Sequence, residues 1–265
     1  MIMAKIESYA PGSFCWAELA TADADAAKQF YGDMFGWTAV DHPMPAGVYT
    51  MFQSGGNDAG AVYQAPPETP TSWSVYFAVT DAQASAAQIE PLGGQIVMGP
   101  MDVGESGIMV IAQDPQGANF SLWQAKRHIG ASHGGPLGQV VWPELNTPDP
   151  AGSVAFYTAL LGWKTKPETG AETAPYVEWV NDGRSIGGLM PMRGDMWEGA
   201  PPHWMIYITV ADCDERARHA EEIGATICVQ PADIPNVGRF SVITDAQGGV
   251  FSIIQMAASQ QQATA

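Results

Sequence analysis

Apolar and polar positions alternate in residues 14–21, FCWAELAT, as they do in a half-buried β-strand. Asp23 follows as a candidate N-cap, and residues 24–35 then show the apolar spacing of an amphipathic helix. Gly36 is placed to supply the left-handed residue that ends many helices. Three strand-like runs separated by Gly, Pro or Asp turns come next. The pattern therefore predicts one βαβββ module.

The same order of elements returns three more times along the chain. A strand that ends at Asp81 leads into a helix predicted over residues 82–92, which stops at Gly93. The segment beginning at Gly138 then repeats the one beginning at Gly12 at a constant offset, and the match continues through both halves. Residues shared by the two copies include Trp16 and Trp142, Glu18 and Glu144, Tyr31 and Tyr157, Trp37 and Trp163, and Asp114 and Asp245.

This repeat indicates a tandem duplication whose joint lies in a Gly- and His-rich stretch. The predicted organisation is a first domain over residues 8–126, a linker over 127–137 and a second domain over 138–257. Residues 258–265 are polar and read as a disordered tail.

Composition narrows the classes of function. The chain of 265 residues holds 11 Lys+Arg against 28 Asp+Glu, a formal net charge of -17, so neither nucleic acid nor an anionic membrane surface is an expected partner. Its three cysteines form no disulfide framework or metal knuckle, and it shows no signal peptide and no apolar run of membrane-spanning length. We expect a cytoplasmic protein, monomeric or homodimeric, that binds a small-molecule ligand.

The motifs resemble those of the vicinal oxygen chelate superfamily, which groups glyoxalases, bleomycin-resistance proteins and extradiol dioxygenases. Two further segments, LWQAKRHIGA (122–131) and PADIPNVGRFSVITDAQG (231–248), resemble a tandem subfamily that includes a glyoxalase-like mycobacterial antigen. The resemblance implies an α+β fold in which four βαβββ modules form two glyoxalase-like half-barrel domains in tandem. It is carried by two copies of a strand-Asp-helix-FY-x4-GW pattern and of a hairpin: Asp23 to Trp37, Asp149 to Trp163, DPQGANFSL (114–122) and DAQGGVFSI (245–253).

The resemblance also implies where a metal would be held. A cage for Zn²⁺, Ni²⁺ or Fe²⁺ needs imidazole or carboxylate ligands. Family enzymes use a His on the first strand, a His on the fifth and a Glu on the eighth, but these positions carry other residues here: Trp16 and Trp142, Ser74 and Met205, and Ser121 and Ser252. We therefore expect no family-type metal site and no cofactor, with an unusual divalent metal site as the alternative.

Two carboxylates are the candidate catalytic groups. Glu18 lies two residues after Trp16, and Glu144 two residues after Trp142, so each shares a strand face with an indole ring. The resemblance places this face inside a cavity, where desolvation raises the pKa of a carboxyl group and favours its use as a base. The alternative is that each carboxylate only binds a loop N–H or the end of a strand.

The same alternation selects candidate ligand-binding residues. His203 is a candidate acid–base partner of Glu144 or, alternatively, a residue of a strand edge. Arg239 is a candidate contact for an anionic ligand or, alternatively, half of a surface salt bridge. His128 and His133 flank the linker with a spacing that matches no recognised metal site. The candidates are Trp16, Ser74, Tyr76, Ser121 and Trp123 in the first cavity, and Trp142, His203, Met205, Tyr207, Ser252 and Ile254 in the second, with Arg239 as a further ligand-binding candidate chosen for its charge.

Three functions stay open on these grounds. The first is small-molecule binding of the bleomycin-resistance kind, in aromatic cavities without a metal. The second is a lyase or isomerase that uses Glu18 or Glu144 as a base, or an enzyme with an unusual metal site. The third is an interaction protein whose cavities are filled by Trp and Met side chains.

Overall fold

The structure, a computed structural model, describes residues 5–45, 47–132, 134–167 and 176–257. The predicted tail and the linker residue His133 lie outside these ranges. Within them the chain forms two similar halves, and each sheet lies inside one of the two predicted domains.

The first half contains two βαβββ modules in the predicted order. Their elements are β1 (Phe14–Thr21), α1 (Ala24–Phe35), β2 (Thr38–Met44), β3 (Gly47–Ser54), β4 (Asn57–Gln64), β5 (Ser72–Ala78), α2 (Ala82–Ile89), β6 (Gln95–Asp102), β7 (Gly107–Gln113) and β8 (Asn119–Ala125). A 3-10 turn over Glu90–Leu92 follows α2.

The second half repeats these elements. They are β9 (Val140–Thr147), α3 (Pro150–Leu161), β10 (Lys164–Pro167), β11 (Val177–Asn181), β12 (Arg184–Pro191), β13 (His203–Thr209), α4 (Cys213–Glu222), β14 (Thr226–Ile234), β15 (Gly238–Thr244) and β16 (Val250–Met256). Here a 3-10 turn over Asp195–Trp197 lies between β12 and β13.

Each half forms one eight-stranded mixed sheet. The orders are β2-β3-β4-β1-β5-β8-β7-β6 and β10-β11-β12-β9-β13-β16-β15-β14. The first strands of the two modules pair antiparallel at the centre, and each also pairs parallel with the last strand of its own module. The predicted α+β fold of four modules in two half-barrel domains is thereby confirmed.

The four α-helices begin as the capping pattern predicts. The side chains of Asp23, Asp81, Asp149 and Asp212 each accept a hydrogen bond from the backbone N–H three residues later. These bonds satisfy N–H groups that have no partner within the helix. Gly36 ends α1 with a φ of 68°, in the left-handed region that glycine adopts without strain.

Helix α2 is shorter than predicted. It ends at Ile89, and residues 90–92 continue as the 3-10 turn, because Pro91 has no N–H with which to extend the α-helical hydrogen bonds. Gly93 closes this turn in the left-handed conformation. Among the described helices, none combines the length and the apolar character that crossing a membrane requires.

One apolar core joins the two halves. It contains the buried side chains of the helices and, from each sheet, the side chains of the face that the helices cover. Phe77 of the first sheet contacts Trp163 and Trp204 of the second half, with ring centroids 5.0 and 5.1 Å apart. Because both halves bury apolar surface in the same core, they stabilise each other.

Two reciprocal hydrogen bonds lie inside this core. The hydroxyl of Tyr31 donates to Asp245 Oδ2 of the second half at 2.8 Å, and the hydroxyl of Tyr157 donates to Asp114 Oδ2 of the first half at 3.2 Å. The other oxygen of each carboxylate accepts two backbone N–H groups of its own hairpin. Because a buried carboxylate needs donors around it, each half completes a turn of the other.

Replacing Tyr157 with Phe removes the cross-half donor to Asp114 and the acceptor of Trp204 Nε1, so it leaves two buried polar atoms short of a partner. We expect the free energy of unfolding to fall by about 1–3 kcal/mol, as measured by urea denaturation. Tyr63→Phe is the matched control, since the described structure shows no hydrogen bond from its hydroxyl to a buried carboxylate. An equal loss in both variants would contradict a specific contribution from the reciprocal bond.

Candidate functional site

The face of each sheet that points away from the shared core carries a separate apolar cluster. We call these clusters the first and second site faces. The first consists of Cys15, Trp16, Ala61, Tyr76, Ala78 and Trp123. The second consists of Met205, Tyr207 and Ile254, with the half-buried Trp142, Phe240 and Val242 beside them.

A buried carboxylate lies on the first site face. Glu18 Oε1 accepts a hydrogen bond from the hydroxyl of Tyr76 at 2.6 Å, and its Oε2 accepts one from the hydroxyl of Tyr49 at 2.7 Å. The indole Nε1 of Trp16 donates to the Tyr49 oxygen at 3.0 Å. The four side chains thus form a chain of hydrogen bonds that runs from indole to phenol to carboxylate.

The second site face repeats this network. Glu144 Oε1 accepts from the hydroxyl of Tyr207 at 3.0 Å, and its Oε2 accepts from that of Tyr176 at 2.8 Å. Trp142 Nε1 donates to the Tyr176 oxygen at 2.8 Å. The sequence prediction that each Glu shares a face with a Trp is therefore confirmed by the contacts.

The environment of the two carboxylates favours their neutral form. Burial raises the pKa of Glu18 and of Glu144, and the hydrogen bonds from the tyrosines lower it only in part. Burial, with the nearby carboxylate charge, raises the pKa of Tyr76 and Tyr207 well above the ordinary value. The phenols therefore keep their protons at neutral pH and act as donors.

The strand register brings these groups together. Trp16 lies opposite Tyr76 across β1 and β5, and Trp142 lies opposite Tyr207 across β9 and β13. On the other side of β9, Gly188 is the neighbour of Glu144. A Cβ atom at Gly188 would overlap the Tyr176 hydroxyl, so glycine leaves the space through which Tyr176 reaches Glu144.

Other predicted binding residues share these faces. Trp123 lies beside Ala78 on the neighbouring parallel strand, and Ile254 is buried in the second cluster. The rest lie next to the networks: Ser74 and Met205 are opposite the two glutamates, and Ser121 and Ser252 are beside Tyr76 and Tyr207.

His203 pairs with Asn146 and not with Glu144. His203 lies opposite Asn146, whereas Met205 lies opposite Glu144. Its Nε2 is 3.2 Å from Asn146 Nδ2, and its Nδ1 is 2.8 Å from the carbonyl oxygen of Pro201. The predicted His203–Glu144 pair is therefore not formed, because the register places the imidazole one pleat further along the strand.

Arg239 lies on the opposite face of its strand from the predicted cavity. Its neighbour Phe240 contacts Tyr207 on the second site face, so alternation directs Arg239 to the other side. There it binds both carboxylate oxygens of Asp214, at 2.6 and 2.9 Å, and one of Asp233 at 3.0 Å. This placement corresponds to the surface salt bridge, not to contact with a ligand.

Sequence reasoning missed the second tyrosine of each network. Tyr49 and Tyr176 lie on β3 and just before β11, strands that were predicted without a pairing partner. A signal was present, because the two tyrosines occupy nearly equivalent positions in the duplicated halves. Without the register of the outer strands, however, nothing in the sequence directs them to the glutamates.

The last residue of the first predicted domain and the beginning of the linker cover part of the first site face. In residues 126–132, which we call the strap, His128 packs its ring against Trp16 and Trp123 with centroids 4.7 and 5.9 Å apart. Trp123 Nε1 donates to the His128 carbonyl oxygen at 2.7 Å. The strap thus covers the tryptophan end of this face.

The donor atoms on the two faces do not suit a divalent metal. The family's ligand positions hold indole, thioether and hydroxyl groups, and the carboxylate that each face does offer is bound by two phenols. Throughout the described ranges, no three His, Cys, Asp or Glu side chains come together as a metal site would require. The residues present therefore do not fit the family's usual metal.

Both carboxylates are nearly enclosed. Glu18 is 8% exposed and Glu144 is 7% exposed. A cleft of about 280 Å³ lies nearby between the two halves, where Tyr9 and Ala131 face Val141 and other residues, but neither glutamate lines it.

Comparison with known proteins agrees with this architecture. The sequence profile of the Glyoxalase/Bleomycin resistance protein/Dioxygenase superfamily matches the chain twice, over residues 13–122 and 137–253. The Mn(II)-bound glyoxalase from Novosphingobium aromaticivorans superposes with a TM-score of 0.66 at 17% identity, covering 92% of this chain and 82% of that one. At this identity the likeness shows the fold alone.

Two relatives are similar over nearly their whole length. The Mycobacterium tuberculosis protein named "Putative glyoxylase CFP32" is 38% identical over 266 residues, which cover 97% of this chain and all of that protein. "Anthracycline biosynthesis protein DauV" from Streptomyces is 34% identical over 264 residues, or 94% of each chain. With both of its halves matched, the chain belongs to the Glyoxalase/Bleomycin resistance protein/Dioxygenase superfamily.

Proposed function

We propose that the chain binds a small, planar aromatic molecule on its site faces, with Glu18 and Glu144 as polar anchors. The observation that carries this proposal is the network in each half, in which two phenol hydroxyls hold one buried carboxylate beside an indole ring. Ligand sites are largely apolar and contain a few oriented polar groups, which is the arrangement on both faces. The ligand is held without a metal.

The walls around the carboxylates suit a flat apolar ring. On the second site face Trp142, Phe240 and Val242 are half-buried, so they keep surface to offer. On the first, Met51 and Met109 are half-buried beside the cluster. Aromatic rings stack on a planar ligand, and methionine side chains adapt to its outline.

The name of one relative supports the same class of ligand. DauV is named for anthracycline biosynthesis, and anthracyclines are fused aromatic ring systems that carry hydroxyl groups. A hydroxyl of such a molecule is a donor for the carboxylate, and its ring matches the aromatic wall. The ligand class proposed for this chain is therefore a hydroxylated aromatic polycycle.

A second candidate function is a lyase or isomerase reaction at the same place. Burial raises the pKa of Glu144, and a carboxylate with a raised pKa is a stronger base toward a ligand C–H or O–H. In that reaction Glu144 takes the proton from one ligand atom and returns it to another, while Tyr176 and Tyr207 adjust their hydrogen bonds. Exchange of ligand C–H for deuterium in D2O, lost in Glu144→Gln, distinguishes this function from binding alone.

Binding is tested with 1-naphthol, a two-ring phenol, by quenching of tryptophan fluorescence and by calorimetry on protein dialysed against EDTA. We expect saturable binding that weakens about tenfold or more when Glu18 and Glu144 are both changed to Gln, because each change replaces a carboxyl oxygen, which accepts hydrogen bonds, with an NH2 group that only donates. Glu222→Gln, at an exposed carboxylate paired with Arg218, is the control and leaves the affinity unchanged.

Two results would contradict the proposal. One is the absence of saturable binding for 1-naphthol and larger hydroxylated polycycles, which would favour site faces that serve only as packed interior. The other is binding that disappears with EDTA and returns with a divalent metal, which would place the ligand on a metal site.

The raised pKa values give a pH dependence with a definite sign. Folded Glu18 and Glu144 hold their protons more tightly than an ordinary Glu of pKa 4.5, so their contribution to stability is present below that pH and is lost as the pH rises above it. The neutral double variant, with Gln at both positions, has no such loss. Between about pH 4 and about pH 7 we expect its unfolding free energy to rise relative to wild type, as followed by urea denaturation.

The exposed Glu222→Gln variant controls for the substitution itself. A difference between the double variant and wild type that stays constant across this pH range would show that the two carboxyl groups titrate at the same pH in the folded and unfolded chains.

A further inference from the structure

A polar pair lies on the second site face, one pleat beyond the carboxylate. Asn146 follows Glu144 by two residues on β9, so the two side chains share a face, and their Cα atoms are about 7 Å apart along the strand. His203 lies opposite Asn146 on β13. Asn146 is 2% exposed, and its amide is therefore inside the protein.

The hydrogen bonds of His203 fix the orientation of this amide. His203 Nδ1 lies 2.8 Å from the Pro201 carbonyl oxygen, which only accepts, so Nδ1 carries the proton. Nε2 is then the acceptor, and Asn146 Nδ2 donates to it at 3.2 Å. This arrangement directs the nitrogen of the amide to His203 and leaves Asn146 Oδ1 buried with no hydrogen-bond partner among the described residues.

An unpartnered buried carbonyl oxygen is costly, so Asn146 Oδ1 is a candidate acceptor for a donor from outside the chain. The duplicated first half shows that the fold does not need it. There the same register pairs Ala20 with Ser72, and neither residue has an amide or an imidazole. The Asn146–His203 pair is thus a feature of the second half alone.

A longer connection accompanies this pair. The link between β4 and β5 spans residues 65–71, whereas the link between β12 and β13 spans residues 192–202 and contains the 3-10 turn. Trp197 of this turn places its ring 6.3 Å from the ring of His203, at an angle of 49°. Three differences between the halves therefore meet at one end of the second site face: an amide, an imidazole and an indole.

From this convergence we infer that Asn146 is a specificity-determining acceptor for a second hydrogen-bond donor of the ligand, with His203 as its positioning residue. The inference rests on the proposed binding function and narrows it. Glu144 receives one hydroxyl, Asn146 Oδ1 receives another on the far side of the same ring system, and Trp197 covers that end. The second half thus selects planar diphenols, or molecules with an equivalent N–H, over molecules with a single donor.

The test compares two ligands that differ by one donor, 1,5-dihydroxynaphthalene and 5-methoxy-1-naphthol. Calorimetry on the full chain measures both affinities. Wild type is expected to prefer the diphenol about fivefold, and this preference falls to about one in Asn146→Ala, because the acceptor is gone. His203→Ser, which restores the residue type of the first half, lowers the preference as well, since the amide is no longer held.

Two variants in the connecting segment separate selection from general binding. Trp197→Ala weakens the binding of both ligands equally and leaves the preference unchanged, because the Trp197 ring stacks on the ligand and makes no hydrogen bond with its second hydroxyl. Met196→Ala, at a neighbouring side chain that is 75% exposed, alters neither affinity. If Asn146→Ala does not fold, His203→Ser carries the same readout.

The possible failures are distinguishable. If neither naphthalene binds, the proposed function itself is wrong. If both bind but wild type shows no preference, or the preference persists in Asn146→Ala and in His203→Ser, the binding function stands and the role of Asn146 is wrong.

Discussion

The shared core is the constraint on which the rest of the molecule depends. Each half buries the helix side of its sheet in a core that it shares with the other half. Each half also contains a hairpin carboxylate that accepts a hydrogen bond from a tyrosine of the other half. The hydrogen bonds from Tyr31 to Asp245 and from Tyr157 to Asp114 lie inside this shared apolar core. Because this core fixes which side of each sheet is covered, pleat alternation fixes which side chains remain for the site faces.

The site faces have a different difficulty, which is the burial of a carboxyl group whose hydrogen-bond partners include no cation. Desolvation disfavours the charge, and in many proteins an arginine or a metal ion compensates for it. Here the compensation comes from two phenols, and a tryptophan N–H supports one of them in each half. Such chains polarise along their length, which lowers the cost of burying the carboxyl group without a cation. This gives an anchor for a neutral donor such as a phenol, and it offers little to a metal.

The βαβββ modules, the helix N-caps and the strand faces of the two glutamates could be predicted from the sequence, because they depend on the spacing of apolar residues and on an internal repeat. Trp16 and Glu18 are two residues apart, and alternation alone places them together. It did not reach Tyr49, because the contact of that residue with Glu18 depends on the register of outer strands. It also gave no face for Arg239, because neighbouring residues of β15 point to opposite sides of the sheet: Phe240 lies on the second site face, and Arg239 lies on the side of α4, where it binds Asp214. Helix α2 ends at Ile89, earlier than predicted, because Pro91 lacks the N–H of an α-helical hydrogen bond and the spacing of apolar residues does not show this.

The differences between the two halves follow from the same separation of faces. Core residues such as Tyr31 and Tyr157 serve both halves at once, so a change in one half disturbs the other. Among the described residues the two glutamate networks make no such reciprocal bonds, and on the site faces the copies differ: Ala61 stands where Gly188 does, and Ala20 where Asn146 does. The strap covers the first face, while the second carries an added acceptor. A duplicated fold built in this way holds its architecture constant through the core and leaves the two site faces free to differ.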